Sequence, residues 1–125
     1  MSKPARTIFV FGIYLVVLGV ALVTVPNLLL GLFGIPATQE VWIRVVGMLV
    51  LILGCYYVQA ARHEAEWKAF IRMTVPMRMS VIVFFAGFVA AGLVTPMILL
   101  FAVIDFAAAA WTWLALRGAA RPSLA

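Results

Sequence analysis

Asp105 and Arg44 are the first residues of chemical interest in this 125-residue chain, because each carries a charge inside a long apolar run. Asp105 has Ile98, Phe101, Ala102, Ala108, Ala109 and Thr112 as its helical neighbours. A carboxyl group among such side chains is costly to ionise unless it is paired, hydrogen-bonded or protonated. It therefore either fixes structure or handles a proton, an ion or a ligand. Arg44 follows Glu40 by four residues, so the two can pair across one helical turn. A bridge between Arg44 and Asp105 is the sharper expectation. The depth offset is on the order of 9 Å, which the long arginine stem partly covers.

A second polar group follows in the stretch Arg62-His63-Glu64-Ala65-Glu66. His63 with Glu64 and Glu66 could bind a metal or exchange protons. However, a zinc-protease helix would need a second histidine four residues on, and position 67 is Trp. The plainer reading is a solvated loop at a lipid surface with a titrating histidine. The chain has no glycine-rich phosphate loop, no paired cysteines and no serine with a base partner, so neither a catalytic residue, a metal site nor a cofactor is expected. Cys55 is the single cysteine and reads as a small packing residue.

The elements that must position these residues are set by composition. Hydrophobic residues make up 67% of the chain and charged residues 10%. No soluble domain of this size could bury so much apolar surface. The apolar residues form unbroken blocks rather than alternating, which indicates membrane helices and not β-strands. Four spans are expected, over residues 8–25, 41–61, 76–92 and 96–116. The fold class is all-α: an integral membrane four-helix bundle, up-down-up-down, forming one domain. A signal peptide is disfavoured for the first block, because no small-x-small cleavage pattern follows it.

Three connections carry further expectations. Pro26 and Asn27 break the first block, leaving Leu28 to Ile35 as a short apolar segment at the interface, re-entrant or continuing helix one with a kink. Thr38, Gln39 and Glu40 suit the N-terminus of the second span. Between Arg62 and Thr74, Trp67, Phe70, Ile71 and Thr74 share one helical face, predicting a helix lying flat in the lipid boundary, with Glu64 and Lys68 as an i,i+4 pair. Pro76 then falls in the first turn of the third span.

Orientation follows from the basic residues. Lys3, Arg6, Arg62, Lys68, Arg72, Arg78, Arg117 and Arg121 all flank the same side, which is eight of nine. The positive-inside rule then places both termini and the His63 loop in the cytoplasm, as a multi-pass protein of the cell membrane. The net charge of +5 accordingly reflects topology and anionic lipid, and not nucleic acid.

Small residues recur on single helix faces: Gly12 and Gly19, Gly47 and Gly54, Gly87 and Ala91, Ala102 and Ala109. They predict close helix packing. The echo of Leu22-Val23-Thr24 before Pro26 in Leu93-Val94-Thr95 before Pro96 hints at a duplicated two-helix unit.

The basic N-terminus, the glycine-bearing first helix ending at Pro26, the run Leu32-Phe33-Gly34-Ile35-Pro36, and Arg44-x-x-Gly47 with Gly54 together resemble the small four-helix bacterial membrane proteins grouped as DoxX-like or BphX-like. The resemblance covers residues 8 to 60 and implies architecture only, with no site residues to carry over. Three functions stay open. The first is an accessory or self-associating membrane subunit, as a homo-oligomer or within a larger membrane complex. The second is a small-solute, ion or proton transporter acting as an oligomer around Asp105 and Arg44. The third is a lipid- or quinone-linked enzyme using the His63 loop.

Overall fold

The computed structural model describes residues 1–120, so Arg121 of the basic count lies outside the described residues. They form helices α1 (Lys3–Thr24), α2 (Pro26–Leu32), α3 (Trp42–Arg62), α4 (Lys68–Ala90) and α5 (Leu99–Ala120), with a 3-10 turn at Pro96–Ile98 before α5. No strand occurs among the described residues. Four of the helices are long and apolar enough to cross a membrane.

Helix α1 starts earlier than expected, at Lys3, because the Ser2 hydroxyl accepts from the Ala5 N–H (3.2 Å) and Pro4 suits a first turn. It stops at Thr24, where the approaching Pro26 disfavours helical backbone and Val25 turns out at φ −133°. Pro26 then opens α2, so Leu28 to Leu32 form a separate short helix and not a kinked continuation. Gly34 ends it at φ +67°, a conformation that only glycine adopts cheaply, and the Ile35 N–H returns to the Leu30 carbonyl at 2.9 Å. Asn27 clamps the following loop by donating to the Thr38 carbonyl (3.1 Å) and accepting from the Thr38 N–H (2.9 Å).

Two expected helix starts are corrected. Helix α3 begins at Trp42 with no side-chain cap, because the Thr38 hydroxyl accepts from the Glu40 N–H (3.1 Å) and stays within its own turn. Helix α4 begins at Lys68 and absorbs most of the polar segment, so Pro76 lies inside it and not in its first turn. An internal proline forfeits one backbone hydrogen bond, a cost of about 3 kcal/mol. The continuous helix is favoured because it buries Ile71, Thr74, Val75 and Arg78 as one stripe. The aromatic face expected to lie in the lipid boundary turns inward instead. Phe70 meets Tyr57 edge-on at 5.5 Å, and Trp67 meets Phe70 at 5.4 Å.

Helices α1 and α3 pack most intimately, and they run antiparallel. A Cβ added to Gly12 would touch Tyr57 and Val58 at 3.0 Å, one on Gly19 would lie 2.5 Å from the Leu51 backbone nitrogen, and one on Gly47 would lie 2.6 Å from Leu22. Gly54 closes on Val16 in the same way, at 2.8 Å. Gly87 and Ala91 do not continue this pattern. Both are exposed, and a Cβ at Gly87 would meet nothing within 4 Å. Helix α5 packs on α4 and on α1, with Ala102 and Ala109 fully buried, whereas α3 and α4 barely touch. The four long helices thus alternate in direction around α1. Helices α1 and α3 stay in close contact up to the end holding α2, whereas α3 and α4 touch only sparsely.

Candidate functional site

The parting of α3 from α4 leaves a cavity of about 270 Å³. One wall is the α3 face Ile43, Val46, Val50 and Leu53, and the other is Phe85 with Ile98, Phe101 and Asp105. Helix α1 forms the back through Tyr14, Leu15, Leu18 and Leu22, and α2 closes one end with Leu29 and Leu30. Phe33 stacks on Phe101 at 4.1 Å between ring centroids and completes that end. Among the described residues, Tyr14 and Asp105 are the only lining residues with polar side chains, and the buried Tyr14 hydroxyl has no hydrogen-bond partner. This is an apolar chamber with one polar corner. Its volume lies near the lower end of small-molecule sites, roughly 300–1,000 Å³.

Among the described residues the buried cation is Arg78, not Arg44. Arg78 is 3% exposed. Its Nη2 donates to the Thr112 hydroxyl (2.8 Å) and the Thr74 hydroxyl (3.2 Å), and its Nε to the Thr74 carbonyl (3.3 Å). The guanidinium lies over the Phe11 ring at 4.8 Å and the Tyr57 ring at 5.7 Å, both within reach of a cation–π attraction. Thr7 extends the network through Thr112 at 2.7 Å, so α1, α4 and α5 meet at one polar node. Among the described residues, Arg78 Nη1 is buried without a partner.

Arg44 is placed elsewhere. It is exposed, and its guanidinium donates to the Val23 carbonyl in the last turn of α1, where a cation is favoured by the helix dipole. The expected bridge to Asp105 is replaced by this cap, because the carbonyl is nearer and already stripped of a helical donor. Glu40 is exposed on the loop before α3.

The His63 group is also dispersed. His63 ends α3 through its backbone N–H to the Gln59 carbonyl (3.0 Å). The Glu64 carboxylate accepts from the Ser2 hydroxyl and from the Ser2 N–H (3.1 Å), tying the start of α1 to the α3–α4 loop. The Ser2 hydroxyl above all, and then the Ser2 N–H, hold that carboxyl below its ordinary value of 4.5, with the N-terminal amine and Lys68 assisting. A shallow groove there includes Glu64, Lys68 and Arg72 but neither His63 nor Glu66. Among the described residues no group of three His, Cys, Asp or Glu side chains could hold a metal.

Sequence reasoning thus found Asp105 but missed Tyr14 and Arg78. Tyr14 was legible as the one aromatic hydroxyl inside the first apolar block. Arg78 stood among the flanking cations, although Met77 and the residues from Met79 onward already belong to an apolar block. In comparisons with known proteins, no family model matches the chain, and no curated protein or solved structure matches it either.

Proposed function

We propose that the chain is a four-span membrane protein, with both termini and the His63 loop cytoplasmic, that binds a neutral amphiphile from the bilayer in the cavity between α3 and α5. The observation that carries this reading is the cavity itself, with apolar walls and, among the described residues, Tyr14 and Asp105 as its only polar side chains. Tyr14 lies at the middle of α1, and Asp105 is the tenth of the 24 residues of the apolar span Pro96–Ala119. A charged headgroup at that depth would be expensive, so the ligand is an apolar body bearing one hydroxyl or carbonyl. Tyr14 and Asp105 supply the hydrogen bonds that orient it. Val46 and Leu53 are partly exposed, which gives lateral access from lipid. The DoxX-like likeness adds the same four-helix architecture as a proposal and no chemistry.

The test is extraction in native lipid followed by mass spectrometry of the intact assembly. The wild type is expected to retain one amphiphile per chain. Val50→Phe, which fills the chamber, is expected to lose it, while Val83→Phe on the outer face of α4 keeps it. Equal retention in all three would overturn the reading.

A second reading, an accessory or self-associating subunit, is favoured by the outward placement of Gly87 and Ala91. Small residues facing away from the single chain are where another helix could approach closely. Gly87→Leu is then expected to reduce the assembly to monomers, and an unchanged mass would remove this reading.

A further inference from the structure

A second groove lies between α4 and α5 at the Ser2 end of the bundle. It is lined by Arg72, Val75, Pro76, Met79, Trp113, Leu116 and Arg117, and is open on its outer side, with a volume of about 750 Å³. Its rim and its floor differ in chemistry. Arg72 and Arg117 stand at the rim, both exposed, one from each helix. Arg117 lies over the Trp113 ring at 4.8 Å, which fixes its guanidinium beside the groove, and among the described residues nothing bonds its N–H edges, which can therefore meet an anion. From Arg72 to Met79 is seven residues, so the apolar floor continues for on the order of 10 Å along α4.

The backbone adds a third feature. Pro76 has no N–H, so the Arg72 carbonyl lacks the donor it would otherwise receive from the next turn. A bare acceptor at the edge of a membrane helix is costly unless something supplies a donor. Two guanidiniums, one acceptor and an apolar trough beneath them match one type of molecule: a phosphate diester with a hydroxyl-bearing headgroup and acyl chains.

We propose that this groove binds an anionic phospholipid of the inner leaflet. Arg72 and Arg117 hold the phosphate, the headgroup hydroxyl donates to the Arg72 carbonyl, and an acyl chain lies along Val75, Met79 and Trp113. The site is separate from the cavity at Asp105, which takes a neutral ligand. The leaflet rests on the orientation proposed above, whereas lipid binding by the groove does not.

The experiment uses the full chain, delipidated and returned to mixed micelles holding equal amounts of phosphatidylglycerol and phosphatidylcholine, with retained lipid counted by native mass spectrometry. Wild type is expected to prefer phosphatidylglycerol by about thirtyfold, given roughly 1 kcal/mol per arginine near an anionic lipid. Arg72→Gln with Arg117→Gln is expected to bring the preference close to parity. Lys3→Gln with Arg6→Gln, which removes two cations of the same end from outside the groove, is expected to leave it unchanged. Equal loss in both double variants would overturn the proposal, since any cation would then serve. So would displacement of the lipid by millimolar inorganic phosphate, which would make this a phosphate site without need of acyl chains. Micelles have no sides, so a negative result condemns the groove and not the orientation.

Discussion

The Arg78 guanidinium donates to the Thr112 hydroxyl across the α4–α5 interface at 2.8 Å, and both side chains are buried. The same hydroxyl meets Thr7 of α1 at 2.7 Å. Thr112 is therefore the shared point through which a buried cation is made tolerable to three helices. Removing that acceptor leaves a charged donor unsatisfied, which costs about 1–3 kcal/mol or more. Replacing the cation by an apolar side chain of similar length removes the need for the acceptor. Thr112→Val should thus lower the thermal midpoint, followed by helical circular dichroism in detergent, more than Arg78→Met does. Thr112→Ser should stay near wild type. A larger loss in Arg78→Met would show that the cation itself holds the helices together.

Packing between α1 and α3 makes a second prediction. A methyl group on Gly19 would collide with the Leu51 backbone, which no side-chain rotation can relieve. Gly19→Ala and Gly47→Ala should each destabilise by about 1–3 kcal/mol through separation of the helices. Gly87→Ala meets open space and should be neutral or stabilising by up to about 1 kcal/mol through helix propensity alone. Thermal midpoints of the three variants provide the check.

Glu64 gives the Ser2 end a pH dependence. Its folded carboxyl titrates below the ordinary 4.5, chiefly because of the Ser2 hydroxyl. A depressed carboxyl contributes stability that is present above 4.5 and is lost as pH falls through the lower folded value. Protection factors at the first turn of α1, with the steep intrinsic pH dependence of amide exchange divided out, should accordingly fall below pH 4.5 relative to neutral pH. In Glu64→Gln the step should vanish, and its persistence would assign the acid response to another group.

Orientation is open to direct labelling. With Cys55 replaced by Ser, a cysteine at Gln39 should react with an impermeant maleimide in intact cells. Cysteines at Ser2 or Glu66 should react only after permeabilisation. The reverse pattern would invert the positive-inside assignment.

Much of the architecture could be read from residues whose meaning is local. Apolar runs around Leu15 and Leu51 mark helices whatever they pack against, and Gly12, Gly19, Gly47 and Gly54 mark close approach because a missing Cβ has few other uses in such a helix. Arg78 was not legible in this way. Its role depends on Thr74 one turn before it, which is local, but equally on Thr112 and Phe11, which are distant in sequence. Pro76 misled for a related reason, since burial of Ile71 and Val75 overrides a local helix-breaking preference. The cavity was illegible altogether, because it exists through the separation of α3 from α4. Asp105 could be singled out from its surroundings, whereas its place on the cavity wall could be found only once the helices were assembled.

Occupancy of the chamber at Tyr14 and Asp105 is the measurement that bears most directly on the proposed function. Native mass spectrometry of the protein taken from its own membrane should show one neutral amphiphile per chain, lost in Val50→Phe and weakened in Tyr14→Phe, while Val83→Phe retains it. An empty wild-type chamber, or one amphiphile held equally by Val50→Phe, would contradict the assignment.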